Sequence, residues 1–410
     1  MLAAPGLLLL TMLALQACDS VGPGGTLHSD SAGVAVATAI EPVWEPGDGW
    51  TVSDEPLLEI GTAFGASAYQ LDGVVGIVRL SNGHIVVGER FSGELRGYDR
   101  EGVFLWSSAG SGDGPGEHRR MLSLHPLAGD SLITFDLAQN RIQLFAPGGE
   151  FVRSLRIEAP WPGFSPGSPI GVAGHQLILA FADYNEIPEG VVRWPQRRVA
   201  TLSLQDGSAT TLLDVPGEEQ FVERFEEGVL YQGYEFGKGP IFAGDGGRLA
   251  VADTEAYVVR WISTDNGLTT RILRRDGPIR PVTSIHVEAW LDQMAEQNMT
   301  YNNYTQAEAD ARRPEWRDRP RAETLPVLRS LHLDAEGNLW VERYFGPGVE
   351  PSPFDVYAPD GTWLGSVSMP AGLDRGALAP RLEIGDDYVL GVWRDAQDIE
   401  YVRLYRLDKS

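Results

Sequence analysis

One small pattern recurs six times along this chain: an apolar strand, a tight turn built on Gly or Asp, and a second strand rich in Val, Ile, Leu or Trp. The copies are Leu80-Ser-Asn-Gly83-His-Ile85, Pro126-Leu-Ala-Gly129 before Leu132, Val172-Ala-Gly174 before Leu177, Gly244-Asp-Gly246 before Leu249, Leu333-Asp-Ala-Glu-Gly337-Asn-Leu339, and Ile384-Gly-Asp-Asp387 before Val389. Turns at 83, 129, 174, 246, 337 and 386 are separated by 46, 45, 72, 91 and 49 residues, so three spacings share one repeat length and two carry insertions. A repeat of forty-odd residues made of short strands and tight turns predicts the blades of a β-propeller. Each blade is a small sheet that cannot cover both of its faces alone.

A second hairpin follows the first. It reads Tyr98-Asp-Arg-Glu-Gly102-Val-Phe104, Phe145-Ala-Pro-Gly-Gly149-Glu-Phe151 and Tyr357-Ala-Pro-Asp-Gly361-Thr-Trp363, with degenerate versions at Leu204-Gln-Asp-Gly207 and Ile262-Ser-Thr-Asp-Asn-Gly267. An aromatic ends one strand, Gly takes the positive-φ position and a large apolar side chain opens the next strand. Two hairpins per repeat give four strands per blade. These residues, with the run Gly112-Asp-Gly114-Pro-Gly116-Glu117 and with Gly337-Asn-Leu-Trp-Val341, resemble the six-bladed, NHL-like propeller family of bacterial lipoproteins over roughly residues 55–410. The resemblance implies architecture more than activity. The last repeat offers only three strands before Ser410, while Pro56-Leu-Leu-Glu-Ile60 is unassigned. The expected fold is therefore all-β: a six-bladed propeller of four-stranded blades over 54–410, the last blade closed by the N-terminal strand, which hides an otherwise open edge. A chain starting at residue 51 is expected to stay folded, and one starting at residue 65 to lose a strand and aggregate.

The single cysteine, Cys18, rules out an intramolecular disulfide and ends the one strongly apolar run, Leu7 to Leu15. That run is too short to span a bilayer, and Leu15-Gln-Ala-Cys18 resembles a bacterial lipobox, with small Ala17 at the cleavage point and a thiol to take the lipid. No Lys or Arg precedes Arg79, so the basic stretch usual in such leaders is missing. Residues 1–18 are expected to be a lipoprotein signal peptide with Cys18 as the lipid attachment point, and 19–53, rich in Gly, Pro, Ser and Asp, a flexible tether. Within it Gly33 to Ala39 could lie against the outer edge of a blade. The implied location is the bacterial cell envelope, outside the cytoplasm. A formal charge of -24 argues against nucleic acid and against binding an anionic membrane through the protein body.

Strands of a meander alternate in direction, so the repeated Gly turns share one face of the disc. The irregular segments, 183–194, 216–236, 275–326 and 344–353, gather on the other, and long loops on a rigid scaffold are where such folds place binding. The largest is expected to hold a helical insertion at 281–322, between blades four and five. Thr283 or Ser284 would cap its helix, and Val287, Trp290, Leu291 and Met294 would form a stripe packed on the disc. Arg312, Arg313, Arg317, Arg319 and Arg321 are interleaved with carboxylates and read as a salt-bridged surface. Tyr301, Tyr304 and Trp316 are the candidate binding aromatics. His84 and Asn338, by the short turns, are the expected silent controls. Gly163-Phe-Ser165-Pro166-Gly167 matches a nucleophile elbow in letters only, since Pro166 lacks the N–H that an oxyanion hole needs. The histidines show no metal-binding spacing, and no cofactor is predicted. Asp72, Glu117 and Arg119 are candidate channel-entry residues. The reading that follows is a monomeric, lipid-anchored binding or scaffold module for a peptide, protein or glycan of the cell envelope. The alternative is a lactonase-like hydrolase or lyase with a divalent cation in the central channel, assembled from carboxylates or histidines of three or more blades.

Overall fold

Five of the six repeated turns hold a glycine at positive φ, 86° at Gly83 and 89° at Gly337, which lets them close an antiparallel hairpin; the sixth, Gly385 to Asp387, turns without one. In the computed structural model, which describes residues 20–108, 110–185, 189–193, 196–225, 228–302, 304–349, 353–374, 381–395 and 397–409, these hairpins pair into six four-stranded meanders. Blade 1 runs from Val74 to Ser107, blade 2 from Met121 to Arg156, blade 3 from Phe164 to Val215, blade 4 from Pro240 to Arg275 and blade 5 from Leu328 to Val367. Blade 6 has three strands between Leu382 and Asp408, and Leu58–Ile60 is its fourth, antiparallel with Leu58 opposite Leu404 and Ile60 opposite Val402. The expected closure of the ring is therefore present, and Arg403 and Glu59 lock its register through a 2.7 Å ion pair.

Between successive blades lie six apolar cores, one of which joins blade 6 back to blade 1 through Leu390, Val392 and Val402 against Val74, Ile77 and Ile85. A bulge explains how each blade reaches its neighbour. In blades 1 to 5 the ladder between the third and fourth strands slips by one residue, at Gly97/Tyr98, Leu144/Phe145, Val199/Ala200, Trp261/Ile262 and Val356/Tyr357. The second residue of each pair is buried in the core shared with the preceding blade. The bulge adds twist and re-aims a side chain, which is why an aromatic precedes the turn in three copies. Inner strands of neighbouring blades meet at the axis with little room: a Cβ on Gly171 would lie 1.8 Å from the Gly244 carbonyl oxygen.

The stretch expected to be a flexible tether is instead a strap. Leu27–Ser31 and Val34–Ala39 form a hairpin whose second strand adds in parallel to the outer strand of blade 4, Ala35 opposite Arg271 and Ala39 opposite Arg275. The chain then bonds to the outer strand of blade 5 through Val43 N–H to Trp363 O (2.9 Å) and Trp44 N–H to Leu364 O (2.8 Å), and to blade 6 through Ser53 N–H to Arg406 O (2.9 Å). Alternating Val34-Ala-Val-Ala-Thr-Ala39 suits an added edge strand. Trp44 and Trp50 supply apolar surface: Trp50 lies 6.0 Å from Trp340, with the Lys409 ammonium 4.6 Å over its ring.

Candidate functional site

The face bearing the Gly turns is smooth, and the opposite face carries a lobe built from the insertions. After the second strand of blade 3 the chain forms a short strand, Gly190–Arg193. It pairs with Glu219–Phe225, which pairs in turn with Gly228–Gly233. Arg193 is ion-paired with Asp253 of blade 4, so the small sheet is pinned across the blade boundary. The blade 4–5 connection supplies two helices, α1 (Ser284–Asn302) and α2 (Gln306–Arg317). A backbone bond from Ala322 N–H to Glu235 O (2.8 Å) joins the two connections, and Leu325 N–H to Arg280 O (2.9 Å) ties the two ends of the blade 4–5 connection together. Phe236, Val287, Trp290, Leu291, Ala309 and Trp316 form the lobe's own core.

The stripe expected on α1 is thus buried, though largely against α2 and Phe236. α2 itself escaped the sequence reading; a Thr305–Glu308 capping box starts it, the S/T-x-x-E signature that could have revealed it. The arginine cluster is paired as expected: Arg312 with Glu315, Arg313 with Asp292, and Arg317 with Glu288.

The expected binding aromatics require correction. Trp316 is 3% exposed and holds the lobe together, so its ring has no face to offer a ligand. Tyr304 is half-buried under Arg312, 6.0 Å from its ring. The side chain of Tyr301, like Cys18, lies outside the described residues. Asn338 is not a silent position either. Its backbone and side-chain N–H groups both donate to buried Asp334, each at 2.8 Å, and the Trp340 indole donates to the same carboxylate at 3.1 Å. This explains the Asp334-x-x-Gly-Asn-Leu-Trp340 motif as a structural clasp. Glu117 and Arg119 serve the glycine-rich loop between blades 1 and 2. Glu117 accepts from Gly114 N–H at 2.7 Å, and Arg119 forks onto Asp113. Asp72 gives its N–H to Glu89. Ser165 sits within an inner strand opposite Ala182, with no strand-to-helix turn, so the elbow motif is accidental.

For the cation alternative the decisive observation is the donor set. Among the described residues no three His, Cys, Asp or Glu side chains are grouped to hold a metal ion. His118 is spent between Gly93 O (2.8 Å) and Thr134 Oγ1 (2.7 Å). His125 is buried in the inner strand of blade 2, where desolvation pushes its pKa down to about 4 and keeps it neutral. The described residues therefore offer no grouped donor set for the cation of the alternative reading.

The cleft that remains lies at the root of the lobe, where Pro240 and Leu328 open the inner strands of blades 4 and 5. It holds about 280 Å³, with Glu218, Glu219, Lys238, Thr254, Arg329 and Tyr344 as its polar wall. Glu218 is gripped by both arms of Arg197 at 2.6–3.1 Å, and Glu219 accepts the Lys238 backbone N–H at 2.8 Å. Lys238, one of two lysines in the chain, directs its ammonium to the carbonyl and hydroxyl of Thr324. Burial lowers its pKa, against the opposing field of Glu219. No sequence motif marks this lysine; its rarity was the available signal. A wider opening of about 840 Å³ lies under α1, bounded by Thr283, Glu288, Arg319, Arg321 and Glu323.

Six blades closed on themselves by an N-terminal strand define a six-bladed β-propeller. No family model and no curated protein sequence matches the chain. Among solved structures it is similar to a Bacteroides fragilis protein described as exported, with 13% identity, 88% of this chain and 95% of that one covered, and a TM-score of 0.50. It is also similar to virginiamycin B lyase from Staphylococcus aureus, with 10% identity, 87% and 99% covered, and a TM-score of 0.42. At these identities the likeness concerns the fold alone. No helix among the described residues is long and apolar enough to cross a membrane.

Proposed function

We propose that this protein is a lipid-anchored, extracytoplasmic binding module that captures an envelope peptide, protein or glycan at its lobed face. The observation that carries the reading is the asymmetry of the disc: among the described residues the insertions of blade 3 and of the blade 3–4 and 4–5 connections join one lobe around a cleft, while the repeated Gly turns share the other face. A rigid ring with one elaborated face suits recognition, because the scaffold meets the ordering cost of the loops in advance. The lobe exposes Ile279 and Ile285, 71% and 72% accessible, and Tyr184, just past the second strand of blade 3, is half-exposed. Replacing these three with Ala should weaken capture of partners from solubilised envelopes by about tenfold, equivalent to 1.4 kcal/mol. Melting should be unchanged, because none of them is buried. Undiminished capture by the stable triple variant would overturn the placement.

The anchor rests on the lipobox-like Leu15 to Cys18. Ser20–Val21 is already paired with Leu27–His28, so a lipid on Cys18 would hold the rim of blade 4 close to the bilayer instead of at the end of a long leash. Intact mass of the protein from a bacterial host should show a diacylglyceryl group on an N-terminal Cys18. A Cys18→Ser variant should leave the membrane fraction, and its continued lipid-dependent retention would sink the assignment.

A further inference from the structure

The cleft at the root of the lobe contains a cation whose bonds go to neutral atoms. Lys238 donates to the carbonyl and hydroxyl of Thr324, and these are the bonds its Nζ makes among the described residues. Of the neighbouring charges, Glu218 is neutralised by Arg197 and Arg329 lies 3.8 Å from buried Glu342, while Glu219 and Glu255 act on Lys238 through their field alone. A partly buried ammonium held by neutral acceptors gains most from a carboxylate, whose charge-assisted bonds are about twice as strong as neutral ones. The rest of the wall is of a different kind. The Glu219 carboxylate accepts hydrogen bonds, Thr254 Oγ1 accepts from Gly239 N–H at 3.0 Å and keeps its own hydrogen to donate, and Tyr344 offers a ring and a hydroxyl. Acceptors, a hydroxyl and an aromatic face match a polyhydroxylated ring. About 280 Å³ is at the small end of ligand pockets and leaves room for one ring.

We propose that this cleft binds a sugar acid, with its carboxylate on Lys238 and its hydroxyls toward Glu219 and Thr254. The inference rests on the binding-module reading and narrows it to glycan chemistry. It is tested with the full-length protein in detergent, using D-glucuronate and D-glucose, which differ in the carboxylate alone. Calorimetry should show glucuronate binding at least about tenfold tighter, and rising salt should weaken glucuronate but not glucose. Lys238→Met should abolish the difference and Lys238→Arg should keep part of it. Should the methionine variant melt early, the salt dependence of the native protein still decides. Methyl β-D-glucuronide separates two sources: equal binding marks the end of a glycan chain, and loss marks a free monosaccharide. Equal affinity for the two sugars, binding of neither, or a preference that survives in Lys238→Met would overturn the proposal. Capture through Ile279, Ile285 and Tyr184 would be untouched by that failure. Conversely, glucuronate binding with unaltered capture by the triple variant would leave the cleft standing and remove the wider reading.

Discussion

Deleting residues 20–50 while keeping Leu58–Ile60 should destabilise the propeller by about 5 kcal/mol or more and make it aggregate. The deletion leaves the ring formally closed. It strips the parallel strand Val34–Ala39 from the outer edge of blade 4, exposing the Thr269–Arg275 edge to pairing with other chains. It also removes nearly complete burial of Val36, Ala37 and Ala39 and the packing of Trp44 and Trp50 against blades 5 and 6. Each buried side chain contributes roughly 1.5–3 kcal/mol when large and less for Ala. The structure thus reverses the expectation that a chain starting near residue 51 would stand alone. Trp44→Ala and Trp50→Ala, each costing about 2 kcal/mol because both rings are half-covered, should reproduce part of the effect. Thermal melting and light scattering check this; identical melting of the truncated and full chains would show the strap to be dispensable.

The ring was legible in the sequence because its signal is repeated. Six turn motifs, three of whose five spacings agree, report a similar tight-turn demand, so one degenerate copy, such as Gly385-Asp-Asp387 with no positive-φ glycine, does not obscure the rest. Ring closure was legible by counting strands in the last repeat. The strap was legible only as far as Gly33 to Ala39 lying against the outer edge of a blade; its local hairpin with Leu27–Ser31 was missed, and the edge it docks on lies far along the chain. Its register is set by residues 271–275, and nothing local distinguishes a docked strand from a coil of small residues. The lobe's aromatics were misjudged for a related reason. Trp316 sits in a helix dense with charge, which reads as a surface, yet its ring turns inward onto Phe236 and Trp290. Lys238 had no motif at all. Its cleft is assembled from residues 218–219, 237–241, 254, 326, 328–329 and 344, so the site is a product of topology.

Replacing Asp355 should be the most damaging single substitution near the lobe. Its carboxylate, fully buried, accepts from Arg275 at 2.8 Å, from the Tyr257 hydroxyl at 3.1 Å and from Ser366 at 2.7 Å, and Arg343 Nε lies 3.2 Å away. Tyr357 donates to the Tyr257 oxygen at 2.8 Å, and burial first, with the nearby Tyr357 and Asp355 adding, raises the Tyr257 pKa well above its usual value, so both phenols stay neutral. Arg275 ends blade 4 where the helical connection departs, and Asp355 begins the strand that returns from the 344–353 loop. One carboxylate therefore clamps the roots of two segments that wall the cleft. Asp355→Leu leaves two guanidinium groups beside each other without their counter-charge, and should cost about 3–5 kcal/mol. Asp355→Asn keeps the shape and should cost less, because an amide oxygen still accepts one bond. The cause is separable from simple loss of packing. If uncompensated charge is responsible, adding Arg275→Met to Asp355→Leu should recover part of the lost stability, whereas a packing defect would deepen with the second change. Chemical denaturation of the two single variants and the double variant measures the coupling. A double variant less stable than either parent would show that the cluster acts as a packed core and not as a charge clamp.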